Sequence, residues 1–118
     1  SRDPLRRAAR GRLSQGRWQG VSRLVWAPFA LADRDEIFSY IEADNPRAAA
    51  QIDERIAFAA RRLLRFPESG RPGRIVGTRE LVVPRTPYIA VYAVTADKIR
   101  ILRVLHGARM WPDDMDEA

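Results

Sequence analysis

Apolar residues along this chain switch from a strand-like spacing to a helical one and back, and each switch marks an element. Residues 21–26 (VSRLVW) read as a short first strand. Pro28, tolerated in a first helical turn, opens a helical stretch to about residue 43, where Leu31, Ile37, Phe38, Tyr40 and Ile41 fit one broad face. Asp44-Asn45-Pro46 breaks it. Asn45 is a good N-cap and Pro46 a good first residue for a second helix reaching about residue 66, with Ile52, Ile56, Ala59, Leu63 and Leu64 at helical spacing. Pro67-Glu68-Ser69-Gly70 stops it, so the two segments form a helical hairpin.

Three β-rich runs follow at residues 78–83, 88–94 and 99–106, separated by Pro84-Arg85-Thr86-Pro87 and by Thr95-Ala96-Asp97-Lys98. The middle run, YIAVYAV, is apolar at odd and even positions alike, which predicts an interior strand covered on both faces. The short second turn predicts an antiparallel hairpin for the last two runs. The expected fold is α+β, in the order β-α-α-β-β-β, with the helical hairpin packed on a small, mainly antiparallel sheet.

Composition narrows the class without naming a reaction. A chain of 118 residues with 46% hydrophobic content supports one core. It has no cysteine, which removes disulfides and thiolate metal sites, and one histidine, so no metal or cofactor constellation is expected. No run approaches the roughly 20 apolar residues of a membrane span, and no signal-peptide core is evident; the expectation is a cytoplasmic protein with no membrane partner. The net charge of +6 is uneven. Residues 1–20 carry Arg2, Arg6, Arg7, Arg10, Arg12 and Arg17 against Asp3 alone, whereas residues 21–118 hold 15 basic and 14 acidic groups. We read residues 1–20 as a basic, mobile arm of upstream or added sequence, Val21 as the natural start, and residues 21–118 as the folded domain.

Charge within the domain is polarised. Between Arg71 and Arg109 eight Lys/Arg face two acids, Glu80 and Asp97, so the sheet half presents a positive surface suited to a polyanion or an acidic protein segment. Twenty of the 21 basic residues are arginine, a bias that a GC-rich genome would also produce, and any single arginine is correspondingly a weak signal.

The ordered motifs resemble the RelE/ParE superfamily of bacterial type II toxins, closer to its ParE branch. They are the acidic helical segment around Asp33, Asp35, Glu36, Ile37, Tyr40 and Ile41; Asn45-Pro46-x-Ala48-Ala49; Phe66-Pro67-x-x-Gly70-Arg71; Arg79-Glu80-Leu81-Val82-Val83; Tyr88-Ile89-Ala90-Val91-Tyr92; and the closing run from Ile99 to Gly107. The resemblance implies a toxin neutralised by a small antitoxin encoded beside it, in a hetero-oligomeric complex of the plasmid-stabilising kind. It also implies one of two targets. RelE-like members cut mRNA on the ribosome; ParE-like members poison DNA gyrase and are not nucleases.

Chemistry bears on that choice. Attack of a 2′-hydroxyl on its phosphodiester needs a proton acceptor, a proton donor and positive charge near the phosphorane. Arg85 and Arg109 fall where RelE-like toxins carry catalytic arginines, and His106 closes the last strand as in nucleolytic relatives; with Glu80 nearby they are the candidate catalytic set if the chain is RelE-like. Against that, the flanking lysines and the terminal tyrosine of RelE-like members are absent, Trp111 standing near the latter position, and one histidine cannot supply an acid–base pair. His106 reads equally as a strand-end packing residue beside Leu102 and Val104. Arg71, Arg74, Arg79, Arg100, Arg103 and Trp111 are the candidate antitoxin- or target-binding residues, because the arginine fork pairs carboxylates in two-point fashion. The expected reading is a growth-inhibiting gyrase binder rather than an enzyme.

Overall fold

A computed structural model describes residues 23–108. The basic arm, the start at Val21, Arg109, Trp111 and the acidic end therefore lie outside the described residues. Strand β1 (Arg23–Trp26) leads into helix α1 (Pro28–Glu42) and helix α2 (Pro46–Arg62); β2 (Arg71–Pro72), β3 (Arg79–Val82), β4 (Tyr88–Val94) and β5 (Lys98–His106) follow. The five strands form one sheet in the order β1-β5-β4-β3-β2. The first strand runs parallel to the last, Arg23 beside Lys98 and Trp26 beside Ile101, while the other three pairings are antiparallel. Among the described residues no helix is long and apolar enough to cross a membrane.

Local chemistry explains the element ends. Pro28 opens α1 after Ala27, which offers no side-chain cap. Asn45 accepts the Ala48 amide at 3.1 Å, so α2 begins on the expected cap. That helix ends at Arg62, earlier than residue 66. Leu63, Leu64 and Arg65 instead bond to the carbonyls three residues back, tightening the last turn ahead of Pro67, which disfavours helical backbone at Phe66.

Helix α1 packs through a narrower face than its apolar pattern suggests. Ala30 and Asp33 are buried and Ile37 and Ile41 pack against the core, a row at helical spacing, whereas Leu31 and Tyr40 lie off that row and are exposed. Arg34 fastens the hairpin: its Nε and Nη2 donate to the two Asp53 oxygens at 3.0 and 2.8 Å, and its guanidinium lies 4.5 Å from the centre of the Trp26 ring. Trp26 is thus a packing residue at the seam of β1 and the helices.

Strand β4 is buried over its first five residues, as an interior strand should be. Tyr88 and Tyr92 face the helices, joining Ile56, Leu63, Ile99, Ile101 and Val104 in the core. On β5 those three core positions are not evenly spaced, because the register shifts between Val91 and Tyr92: Val91 stands beside Arg103 and Tyr92 beside Ile101, which leaves Leu102 as the extra residue of a bulge. The bulge lets Ile99, Ile101 and Val104 share the covered face despite an odd interval. The two-residue strand β2 has no counterpart in the apolar pattern. It exists because Arg71 and Pro72 lie beside Glu80 and Arg79.

Candidate functional site

Most of the arginines read as a binding surface are already committed. Glu80, 3% exposed, receives Arg71 on Oε1 (3.1 Å from Nη2, 3.3 Å from Nε) and Arg74 on Oε2 (2.9 Å from its amide, 3.2 Å from Nε). One carboxylate thereby folds the 71–78 segment back onto β3, and the outer edges of both guanidiniums remain half exposed. Arg79 donates through Nη1 to the carbonyls of Glu68 and Gly70, holding the approach to β2. Arg103 makes a two-point pair with Asp33, Nε to Oδ2 at 2.8 Å and Nη2 to Oδ1 at 3.0 Å, and lies 5.5 Å from the Phe29 ring centre. Arg100 differs: its buried Nε makes no hydrogen bond. A buried donor left in this state costs free energy.

The Glu80 cluster makes stability depend on pH. Burial alone would raise its carboxyl's pKa, but the Arg74 amide and the Arg71 and Arg74 guanidiniums outweigh burial and hold it below the ordinary 4.5. A carboxyl depressed by folding contributes stability that is complete above its unfolded value and is lost as pH falls through its folded one. Glu80→Gln should therefore flatten the decline of the urea midpoint below pH 4.5, the ordinary value; parallel declines in both proteins would show that the cluster does not govern it.

Of the candidate catalytic residues within the described range, Arg85 and His106 lie at one end of the sheet and Glu80 does not. Arg85 sits exposed at the tip of the β3–β4 turn, closed by the Val83 amide donating to the Tyr88 carbonyl at 3.0 Å. Its φ of +61° is left-handed backbone that a residue with a Cβ adopts at a cost, and its carbonyl accepts from Arg55 Nη1 at 3.4 Å. Tyr88 pairs across the sheet with His106, the rings meeting edge to face at 5.6 Å. The Gly107 amide donates to the Pro87 carbonyl at 2.8 Å, tying the end of β5 to the Arg85 turn. His106 Nδ1 accepts the Ala108 amide at 3.1 Å, a bond that requires that nitrogen to be unprotonated. Glu80 is engaged with Arg71 and Arg74, two strands away from His106 across β3, β4 and β5.

Sequence reasoning missed two clamps. Asp33, on the buried row of α1, is 8% exposed and accepts the Val104 amide at 2.8 Å as well as Arg103. Tyr92, fully buried, accepts the Gly70 amide at 2.9 Å and donates to the Pro67 carbonyl at 2.8 Å. The signals were present: one acid on an otherwise apolar helical row, and a tyrosine in a strand apolar on both faces.

This arrangement of elements is shared with known proteins. A chain of the chromosomal ParDE TA system from P. aeruginosa superposes with a TM-score of 0.70 at 28% identity, covering 74% of this chain and 97% of that one. Y4kP of Sinorhizobium fredii, named as a toxin, is 48% identical over 90 residues, 76% of this chain and 93% of its own length. Toxin RelE2 of Caulobacter vibrioides is 36% identical over 90 residues, 76% of this chain and all of its own. The profile of the ParE toxin of the type II toxin–antitoxin system parDE matches residues 24–111, from β1 through the Arg85 turn and past His106, and the chain belongs to that ParE toxin family.

Proposed function

We propose that this chain is the toxin of a type II pair, held inactive by a small antitoxin encoded beside it, and that it acts in the cytoplasm by binding DNA gyrase rather than by cutting RNA. The observation that carries the choice is the state of His106. One ring nitrogen accepts a backbone amide and the ring meets Tyr88 edge to face, which supports a strand-end packing role, and a single histidine cannot supply a two-histidine acid–base pair. The commitment of Arg103 to Asp33, and of Arg71 and Arg74 to Glu80, points the same way, since guanidiniums already paired with carboxylates are poorly placed to stabilise a phosphorane. The half-exposed outer edges of Arg71 and Arg74 are the members of the binding set best placed to meet an antitoxin carboxylate.

A second reading, a ribosome-dependent mRNA endonuclease, draws support from one feature. Arg85 is exposed and strained beside the Tyr88–His106 pair, and strained residues cluster at functional sites. A supercoiling assay on relaxed plasmid separates the two. The purified chain is expected to abolish gyrase supercoiling and leave cleaved, protein-linked DNA, with activity restored by the antitoxin and His106→Ala inhibiting as well as the parent. Untouched gyrase, together with mRNA cleavage in a translation mixture that Arg85→Ala and His106→Ala abolish, would give the site to the ribosome.

A further inference from the structure

Helix α2 carries a surface feature that its packing does not require. Ala49, Ile56, Ala59 and Ala60 are its buried residues, and positions 47, 51, 54, 58, 61 and 65 are exposed, a row that climbs the opposite side at helical spacing. Phe58 stands in the middle of that row, 56% exposed. One turn further on, Arg61 lies 5.9 Å from the Phe58 ring centre. Just past the helix end Phe66 is 49% exposed, with Arg62 at 5.2 Å and Arg65 at 6.0 Å. None of these three arginines makes an ion pair among the described residues.

Helix-dipole compensation accounts for arginines in a last turn. It does not account for two large rings held in water beside them, which forgo the free energy that burial would return. Exposed aromatics flanked by arginine are instead the composition of an interface centre. Having no ion-pair partner among the described residues distinguishes Arg61, Arg62 and Arg65 from Arg71, Arg74 and Arg103, whose charge is met within the fold.

We propose that the Phe58–Phe66 strip is a docking surface for an acidic segment of the antitoxin, one that places carboxylates against Arg61, Arg62 and Arg65 and a large apolar side chain against the two rings. This inference rests on the antitoxin reading above and adds to it a location and a chemistry. Charge complementarity selects an acidic partner. Exposed rings interleaved with arginine are the make-up of a protein interface centre, and a protein segment supplies both the carboxylates and the apolar side chain that the strip would meet.

The test is a calorimetric titration of the full chain with the purified protein encoded by the adjoining reading frame. Phe58→Ala is expected to weaken binding about tenfold and Arg61→Glu with Arg65→Glu about a hundredfold, with a flatter salt dependence for the charge reversals. Arg47→Glu, the same charge change on the same exposed row outside the strip, is expected to bind as the parent does. All are surface substitutions, and circular dichroism is expected to show the helix retained. If the parent binds and both strip variants bind equally well, the strip is not the site and the antitoxin reading stands. If the parent itself does not bind, the antitoxin reading falls and the strip with it. Loss of binding to a single-stranded 20-nucleotide RNA in the charge reversals, with antitoxin affinity unchanged, would assign the strip to nucleic acid and overturn the proposal.

Discussion

Replacing Gly70 by alanine is expected to lower the thermal midpoint by roughly 10–20 °C, the equivalent of about 3 kcal/mol in a domain of this size. Gly70 is needed for the absence of a side chain. A Cβ there would lie 2.7 Å from Tyr92 Oη, 2.8 Å from its Cε1 and 2.9 Å from the Glu80 carbonyl oxygen. None of those atoms can yield cheaply. The Tyr92 ring is fully buried and its hydroxyl is held by Pro67 and by Gly70 itself, while the third atom is backbone of β3. Relief would have to come from moving the segment that carries Gly70, which breaks the Gly70 amide bond and disturbs the pairing of β2. Tyr92→Phe separates the clash from the lost hydrogen bonds. It keeps the ring, strands a buried amide and carbonyl, and should cost about 1–3 kcal/mol. A Gly70→Ala protein melting within a degree or two of the parent would mean that the turn relaxes freely and that the close approach is not a constraint.

Asp33→Ala is expected to cost about 3–5 kcal/mol, a large share of the 5–15 kcal/mol that holds a typical domain together. Its carboxylate serves three donors from β5, the Arg103 Nε and Nη2 and the Val104 amide. Removing it takes a two-point charged contact from a partly buried guanidinium and leaves a backbone donor without its acceptor. A second substitution tests that origin. Arg103→Met in the Asp33→Ala background should recover part of the loss, because an apolar pair in the same space no longer strands a charge, although the Val104 amide stays unpaired. Urea denaturation of the two single variants and the double variant closes the cycle. A loss under about 1 kcal/mol for Asp33→Ala would place the pair among ordinary surface salt bridges.

These clamps explain why the fold was legible and the site less so. Period changes, caps and turns are local signals, and they located both helices and the four strands of four or more residues. Strand β2 left no trace, because two residues cannot show a period and are held by Arg79 and Glu80 several positions away. The extent of α1's core face was misjudged because an apolar residue on a helix can also face outward, as Leu31 and Tyr40 do. The arginines were hardest to read. Charge on a sheet reads as a surface until each cation's partner is known, and Arg103 finds its partner 70 residues away. The motifs that carried the family resemblance prove to be joined to one another: Pro67 and Gly70 to Tyr92, Arg71 to Glu80, the Asp33 segment to the closing run. They specify the architecture. The proposed docking strip lies instead at residues such as Phe58, which no fold requirement demands.

The position of β5 has a consequence for biosynthesis. The last strand of the described chain lies inside the sheet, between β1 and β4, and supplies Ile99, Ile101 and Val104 to the core as well as all three donors to Asp33. As the polypeptide emerges from the ribosome, the first strand and both helices must wait, with apolar faces uncovered, until its final segment arrives. A nascent chain halted before Lys98 lacks the strand that joins β1 to β4 and has no closed core. A stop codon ahead of Lys98 therefore yields no folded domain, and any activity that needs the fold appears only once β5 has been made.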